Sequence, residues 1–450
     1  MIVHEFAEFA VAHRDQPLSP EVLHGANRAL VDWYGATVAG SATPAGKRIR
    51  AGLAFSTGHG SATLVPEGVP ADPRTAALIN GTASHVVEMD DIFRDGIYHP
   101  GSPTVAAALA TAQHLGASGE ALLRAIAIGY EISCRIAAAI QPAHYRYWHT
   151  TGTVGTIGAA AATAELLGLD ADRFAHALAN ATTTAAGLQQ AFRSDAMGKP
   201  LHAGHAADAG MVAAFAARED FTGAWDILEG PAGFGAAMSE GPDWKSAVAA
   251  LGTTWAVTQQ TVKNHSCCGH TFAAVDAALE LRARGVEADQ IAHVEVETYG
   301  TALAVAGNTD PVTDFEAKFS LAYTVAAAFA VGSVRLASFT PRWLTDPGLR
   351  DLVARTTATV SPEFDALFPQ QRAARVRVTM KDGSVVETTR HTRHGDPDDP
   401  LTDEELSEKF AELVASVLGD AAAADLARAL WAVDGVDDVN LMFQGQRTDR

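Results

Sequence analysis

Residues 153–187, TVGTIGAAAATAELLGLDADRFAHALANATTTAAG, decide the fold class. Small and apolar residues run without alternation from Thr153 to Leu167. Gly168-Leu169-Asp170-Ala171-Asp172 then interrupts, and a second helical pattern runs from Arg173 to Gly187. Glycine ends a helix readily and aspartate caps the next, so two helices joined by a short turn are predicted over Thr153–Leu167 and Arg173–Gly187. The same pattern extends outward. Ser118-Gly119-Glu120 opens a helix over Ala121–Ile140, and Ser19-Pro20-Glu21 starts one whose apolar positions are Val22, Leu23, Ala26, Leu30 and Tyr34. Strand patterns are scarce up to about Leu251, and the many alanines and glycines suit helices that approach closely. The expectation is one large all-helical domain.

Past Thr261 the pattern changes. A helix is predicted near Thr271–Arg284, after which Ile291-Ala292-His293-Val294-Glu295-Val296-Glu297-Thr298 alternates as a half-exposed strand does. Val376–Met380 and Ser384–Thr388 flank Lys381-Asp382-Gly383, a hairpin signal. Gly395-Asp396-Pro397-Asp398-Asp399-Pro400 closes this region, and Thr402-Asp403-Glu404-Glu405 caps a return to helix that runs toward Val433. The fold class is therefore mainly α. A helical domain begins over 1–262, a smaller α+β domain occupies 263–395, and the helices of 396–450 resemble the first domain in style and are expected to return to it.

A chain of 450 residues is too long for one simple core, and 48% hydrophobic with 19% charged residues is a composition that excludes global disorder. The formal charge of −20 argues against nucleic acid and against an anionic membrane surface as partners. A small anion stays open, because a site can carry local positive charge. Three cysteines, Cys134 and the adjacent Cys267-Cys268, make no disulfide framework and fit a reducing compartment. The start, MIVHEFAEFAVAHRDQ, lacks a basic region followed by an apolar one, and the alanine-rich runs break well before ~18–20 apolar residues accumulate. A soluble, cytoplasmic protein is expected.

Chemistry-bearing residues concentrate in Asn80–Thr104, NGTASHVVEMDDIFRDGIYHPGSPT, which holds two histidines, an arginine and four carboxylates. A helix carried through this segment would set His85, Glu88 and Ile92 on one face, with Asp91 three residues beyond Glu88 and Arg94 four beyond Asp90. Gly96 would break it. Pro100 pushes His99 out of the α region, and Ser102-Pro103 has the pattern of an N-cap with proline at the first helical position. His99 is thus expected in a rigid turn beside the acidic residues, where an imidazole is a reasonable general acid or base. For Asp91 and Asp95 taken singly, a solvated helix cap is the plainer account.

Four further clusters set polar groups in apolar surroundings. His149 precedes the glycine-containing helix start Thr150-Thr151-Gly152-Thr153, whose backbone N–H groups can receive an anion. Lys199 stands between Gly198 and Pro200 in the stretch Arg193–Gly204. Lys263, Cys267, Cys268 and His270 share the run Val262–Thr271, and Lys318 and Tyr323 interrupt the head of an apolar helix. A packing histidine, a surface lysine and a core tyrosine are the plainer accounts of these residues. The adjacent cysteines lack the spaced pairs of a zinc site, so no metal is expected. No P-loop, dinucleotide fingerprint, GxSxG elbow or HExxH motif is present. Together, His99, His149, Lys199, Lys263 and His270 form a cationic set suited to a substrate with several carboxylates, and Glu88, Asp90 or Asp91 are available for acid/base or orienting work.

The run NGTASHVVEMDDIFRDGIYHPGSP resembles the NGxxxHxxDxDD…HPS/G segment of the MmgE/PrpD family. GTVGTIGAAAATAELLGL, GKPLHAGHAADAG, KNHSCCGHTFAAVDAALEL, EAKFSLAYTVAAAF and GDPDDPLTDEEL resemble later blocks of that family in the same order, over nearly the whole chain. The resemblance implies a helical domain made from the first and last parts of the chain, an α+β lid domain, usually a homodimer, and no metal or organic cofactor. It implies a reaction on a small polycarboxylic acid, since 2-methylcitrate dehydratase, cis-aconitate decarboxylase and an iminodisuccinate epimerase all move a proton at a carbon next to a carboxylate.

Carried onto matching positions, the family's site histidines fall on His99 and His149, its lysines on Lys199 and Lys263, and its late tyrosine on Tyr323. The residue shortly after the second lysine falls on Cys268 or His270. Glu88 and Asp91 join the expected catalytic set, while Arg94, Asp90, Cys268 and His270 are expected to bind substrate. Two positions depart from decarboxylase-like and epimerase-like members, which carry Asp where this chain has Glu88 and often a hydroxyl residue where it has Ile92. Dehydration of a 2-methylcitrate-like hydroxy acid is the first expectation. Decarboxylation of the cis-aconitate type and dicarboxylate epimerisation are the alternatives, and a non-catalytic anion-binding protein is the reading from another class.

Overall fold

Small residues let helices meet backbone to backbone, and that is how the larger part of this chain is built. The protein is described by a computed structural model covering residues 1–192, 196–368 and 370–446. It folds as two units, Met1–Thr261 with Thr402–Arg450, and Val262–Leu401.

In the first unit the helix Thr150–Leu166 is buried along all its faces, as expected of a stretch that carries no polar stripe. Its main neighbours are the helices Gly198–Arg218, Gly119–Ile140 and Gly101–Leu115. The helix Gly198–Arg218 also crosses Pro73–Ser84, and Gly204 sets that crossing: a Cβ there would lie 2.2 Å from the Leu78 carbonyl oxygen and from Thr82 Oγ1. The caps follow the sequence. Ser19 accepts from the Val22 N–H at 3.3 Å, Ser118 from Ala121 at 3.2 Å and Asp170 from Arg173 at 2.9 Å. The boundaries shift by a few residues. The first of the two predicted helices starts at Thr150 rather than Thr153, and the second ends at Thr183 rather than Gly187.

The expectation of an all-helical first domain needs one correction. β1 (Thr57–Leu64) and β2 (Val69–Ala71) form an antiparallel hairpin, hidden in the sequence by glycines at 58, 60 and 68 that take positive φ. The last segment adds the helices Asp403–Leu418 and Asp420–Trp431. The first of these packs on Pro20–Ser41 and starts with a capping box between Thr402 and Glu405.

The second unit holds a four-stranded sheet in the order β4-β3-β5-β6, with β3 at Ile291–Thr298, β4 at Thr356–Val360, β5 at Ala374–Met380 and β6 at Val385–Arg390. β3 pairs parallel with β4 and antiparallel with β5. Ile291, Val294, Val296 and Thr298 are its buried positions, close to the alternation in the sequence. The predicted hairpin joins β5 to β6, and Gly383 supplies the positive φ of its turn. The helix Phe272–Ala283 lies against β5 and β6 and against the helix Leu321–Val331. The fold is mainly α with a smaller α+β unit. Among the described residues, no helix is long and apolar enough to cross a membrane.

Candidate active site

The helix that begins at Pro73 stops at Ser84, with His85 as its C-cap, so His85, Glu88 and Ile92 do not share a helical face. This corrects the reading of Asn80–Thr104 as continued helix. The β-branched pair Val86-Val87 weakens helix propensity at this point, and the side chains that follow find partners a helix could not offer. His85 Nδ1 donates to Asp90 Oδ2 at 2.6 Å, a pairing five residues apart. Glu88 takes a left-handed φ of 59°, and the Met89 carbonyl accepts from the buried Lys409 ammonium at 2.7 Å.

The segment after the turn is held by the same carboxylates. Ile92 bridges to Thr261, and the next long helix begins at Gly101 with Pro100 as its N-cap. Ser102 is thus not the cap expected from its place before Pro103. It lies in the first turn and donates its hydroxyl to Asp90 Oδ2 at 2.9 Å. Asp91 accepts from the Gly101 N–H at 3.0 Å and from the Tyr130 hydroxyl at 2.8 Å. His99 is half-buried, donates its backbone N–H to Thr151 Oγ1 at 3.3 Å, and places Nδ1 3.2 Å from Asp90 Oδ2. Asp90 thus sits between two imidazoles.

Two other helices complete the cluster. His149, the N-cap of Thr150–Leu166, is buried, and its ring stacks on His85 with 5.4 Å between centroids. The rings of His85 and His99 meet edge to face at 4.8 Å. Lys199, in the first turn of Gly198–Arg218, forms an ion pair with Glu88. His202, one turn further on, brings its Nδ1 to 3.0 Å from Nδ1 of His149. Residues 193–195 of the stretch that carries Lys199 lie outside the described residues.

The electrostatics follow from burial opposed by neighbours. Burial alone would push the Asp90 carboxyl up, but His85 and His99 facing it outweigh that and hold it well below the usual carboxylate range. His85 is pushed down to about 4, mainly by burial, so a neutral ring donates to an ionised Asp90. His149 is driven well below the usual imidazole range by burial, with His85 and Lys199 adding to the effect. Asp91 goes the other way. Burial, then the nearby Asp32, raises it to about 8, so it holds its proton at neutral pH. The site therefore pairs an ionised carboxylate with an adjacent protonated one, the kind of division that acid/base chemistry uses. His85, Asp90 and His99 each offer a ligand atom within 4.8 Å of the others and are the described residues that could hold a metal ion.

The remaining expected residues have separate surroundings. Arg94 lies half-buried in a short 3₁₀ turn, its Nε 3.6 Å from Asp95 Oδ1. In the second unit, Lys263 is buried, and the half-buried Cys268 donates its backbone N–H to the Lys318 carbonyl at 2.9 Å. His270 Nδ1 lies 2.7 Å from the Tyr299 hydroxyl, and burial followed by Arg372 and Arg393 pushes the imidazole down to about 3. Tyr323 is fully buried and donates its hydroxyl to the Ser338 carbonyl at 2.7 Å.

His85, Ser102, Tyr130 and His202 were not among the expected site residues. His202 could have been found, since it follows Lys199 at the i, i+3 spacing that puts both on one helix face. Tyr130 comes from a helix far along the chain, and no local spacing announces it.

Residues 4–247 match the MmgE/PrpD N-terminal domain and residues 265–433 the MmgE/PrpD C-terminal domain. The chain is 28% identical over 444 residues to the cis-aconitate decarboxylase-like protein oryM of Aspergillus oryzae, covering 93% of this chain and 91% of that protein. It is 26% identical over 445 residues to human cis-aconitate decarboxylase, covering 94% and 90%. With mouse cis-aconitate decarboxylase it shares 29% over 360 residues, covering 75% and 71%. The two domain matches account for most of the chain in the family's own order, and the chain belongs to the MmgE/PrpD family.

Proposed function

We propose that this chain is a lyase that decarboxylates a small unsaturated polycarboxylate of the cis-aconitate kind, moving a proton at a carbon next to a carboxylate and using no organic cofactor. Family membership and relatives named as cis-aconitate decarboxylases support a lyase acting on a small polycarboxylate. The observation that carries the reading is the cluster of His85, His99 and His149 around Asp90, with the Lys199–Glu88 pair beside it, in an otherwise alanine-rich interior. Buried polar atoms are rarely left without partners, yet His85 Nε2 and Asp90 Oδ1 have no hydrogen-bond partner among the described residues. A polar ligand would satisfy such atoms.

In this reading Lys199 receives a substrate carboxylate. Lys199 can do so without leaving Glu88, since an ammonium carries three donors. The carbon–carbon bond to the departing carboxylate breaks, CO2 leaves, and its electron pair passes to a neighbouring carboxylate as an enolate-like anion. The cationic groups favour that anion over the starting acid. His99 gives a proton to the carbon and regains one from water, so each turnover takes up one proton. Dehydration of a 2-methylcitrate-like hydroxy acid is the second reading, kept open by Glu88 and Ile92, which depart from the residues that the resemblance gives to decarboxylase-like members.

The test is a panel of polycarboxylic acids incubated with the protein in D2O and followed by NMR. Conversion of cis-aconitate with CO2 release and one new C–D bond supports the proposal. Loss of water from 2-methylcitrate with cis-aconitate untouched would replace it with the second reading. Anion binding without conversion of any acid would sink both.

A further inference from the structure

The backbone of His149 is fixed on both sides: its N–H donates to the Gly187 carbonyl at 2.9 Å and its carbonyl accepts from Gly152 N at 2.9 Å. Its ring meets that of His202 through the two Nδ1 atoms, 3.0 Å apart. The chain makes room for this meeting. A Cβ at residue 152 would stand 2.4 Å from the Ala186 carbonyl oxygen and 3.0 Å from the His202 Cβ, so glycine is what lets the helix Gly198–Arg218 bring His202 so near.

Two nitrogens at this distance hold one proton between them, because a hydrogen bond needs one donor and one acceptor. Both rings are neutral at pH 7. Burial, with His85 and Lys199, holds His149 down, and burial, with His205 and Lys199, lowers His202. In a neutral imidazole the state of one nitrogen fixes the other, so an Nδ1 that accepts requires an Nε2 that donates. We propose that His202 is a positioning residue that donates its Nδ1 proton to Nδ1 of His149 and so locks His149 as the Nε2–H tautomer, a neutral donor for a substrate carboxylate oxygen. The direction of the bond rests on the polycarboxylate reading, since an anion is favoured by a donor and repelled by the lone pair of the opposite tautomer. A neutral donor also adds no further positive charge beside Lys199.

The tautomer can be read without substrate. In the full chain labelled with ¹⁵N at histidine only, a long-range nitrogen–proton spectrum at neutral pH should show His149 Nδ1 unprotonated and His202 Nδ1 protonated. The signals are assigned by their loss in His149→Gln and His202→Asn. A protonated His149 Nδ1 overturns the proposal whether or not the protein converts any polycarboxylate, which separates its failure from that of the decarboxylase reading. In kinetics with cis-aconitate, His202→Leu should raise KM about tenfold with kcat within about threefold of wild type. His202→Asn, whose amide can place a donor where Nδ1 stood, should stay within about threefold of wild type in both. An unchanged KM in His202→Leu, or equal losses in the two variants, also overturns it.

Discussion

The buried ammonium of Lys409 donates to the carbonyl of Met89 at 2.7 Å, although 320 residues separate them in the chain. Met89 lies between Glu88 and Asp90, so a helix near the C-terminus holds the turn that carries the acidic residues of the site. The same ammonium pairs with Asp32, and both side chains are 1% exposed. Removing one partner of a buried ion pair leaves the other charge uncompensated, typically at a cost of about 3–5 kcal/mol. Lys409→Met should therefore lower the midpoint of urea unfolding by an amount of that order, and adding Asp32→Asn should recover part of it. Wild-type stability in Lys409→Met would show that the pair does not hold the turn.

Asp91 gives the stability of the protein a pH dependence of unusual sign. Its carboxyl titrates at about 8 in the folded protein and near ~3.9 in an unfolded chain. Between these values the unfolded chain has released a proton that the folded one keeps, so this residue lowers stability as pH rises from about 4 to about 8. Asp91→Asn is neutral throughout and can still accept from the Gly101 N–H. Its stability relative to wild type should rise steadily as pH increases from about 4 to about 8. Parallel stability curves for the two proteins would show that Asp91 is already ionised in the fold.

Turnover should survive exhaustive chelation, because side chains already supply the positive charge that an enolate-like anion needs. Loss of activity on chelation, with recovery on adding back one metal, would make ligands of His85, Asp90 and His99.

The sequence shows most clearly what depends on local periodicity. The helix Thr150–Leu166 is buried all round and its sequence carries no polar stripe, while β3 and the β5–β6 hairpin follow alternation and a Gly383 turn. β4 was not anticipated, because a parallel partner of β3 is separated from it by intervening helices and announces itself by no turn. The turn at His85–Asp91 was mistaken for helix because its stability comes from Asp90 and from Lys409, a residue far along the chain. His99, His149, Lys199, Glu88, Asp90 and Asp91 were legible as residue types in tight local settings, and the fold brings them into one cluster. The roles of Tyr130 and His202 depend on helix crossings that local patterns do not encode.

The central claim is that proton transfer next to a carboxylate takes place at the Asp90 cluster, with His99 as the residue that moves the proton. His99→Gln keeps hydrogen-bonding capacity but removes the transferable proton. The account predicts that kcat for cis-aconitate falls by roughly 10²–10⁴-fold while substrate binding, measured by calorimetry, is retained. Turnover within a few-fold of wild type in His99→Gln, together with an inactive His149→Gln, would contradict it and move the acid/base role to His149.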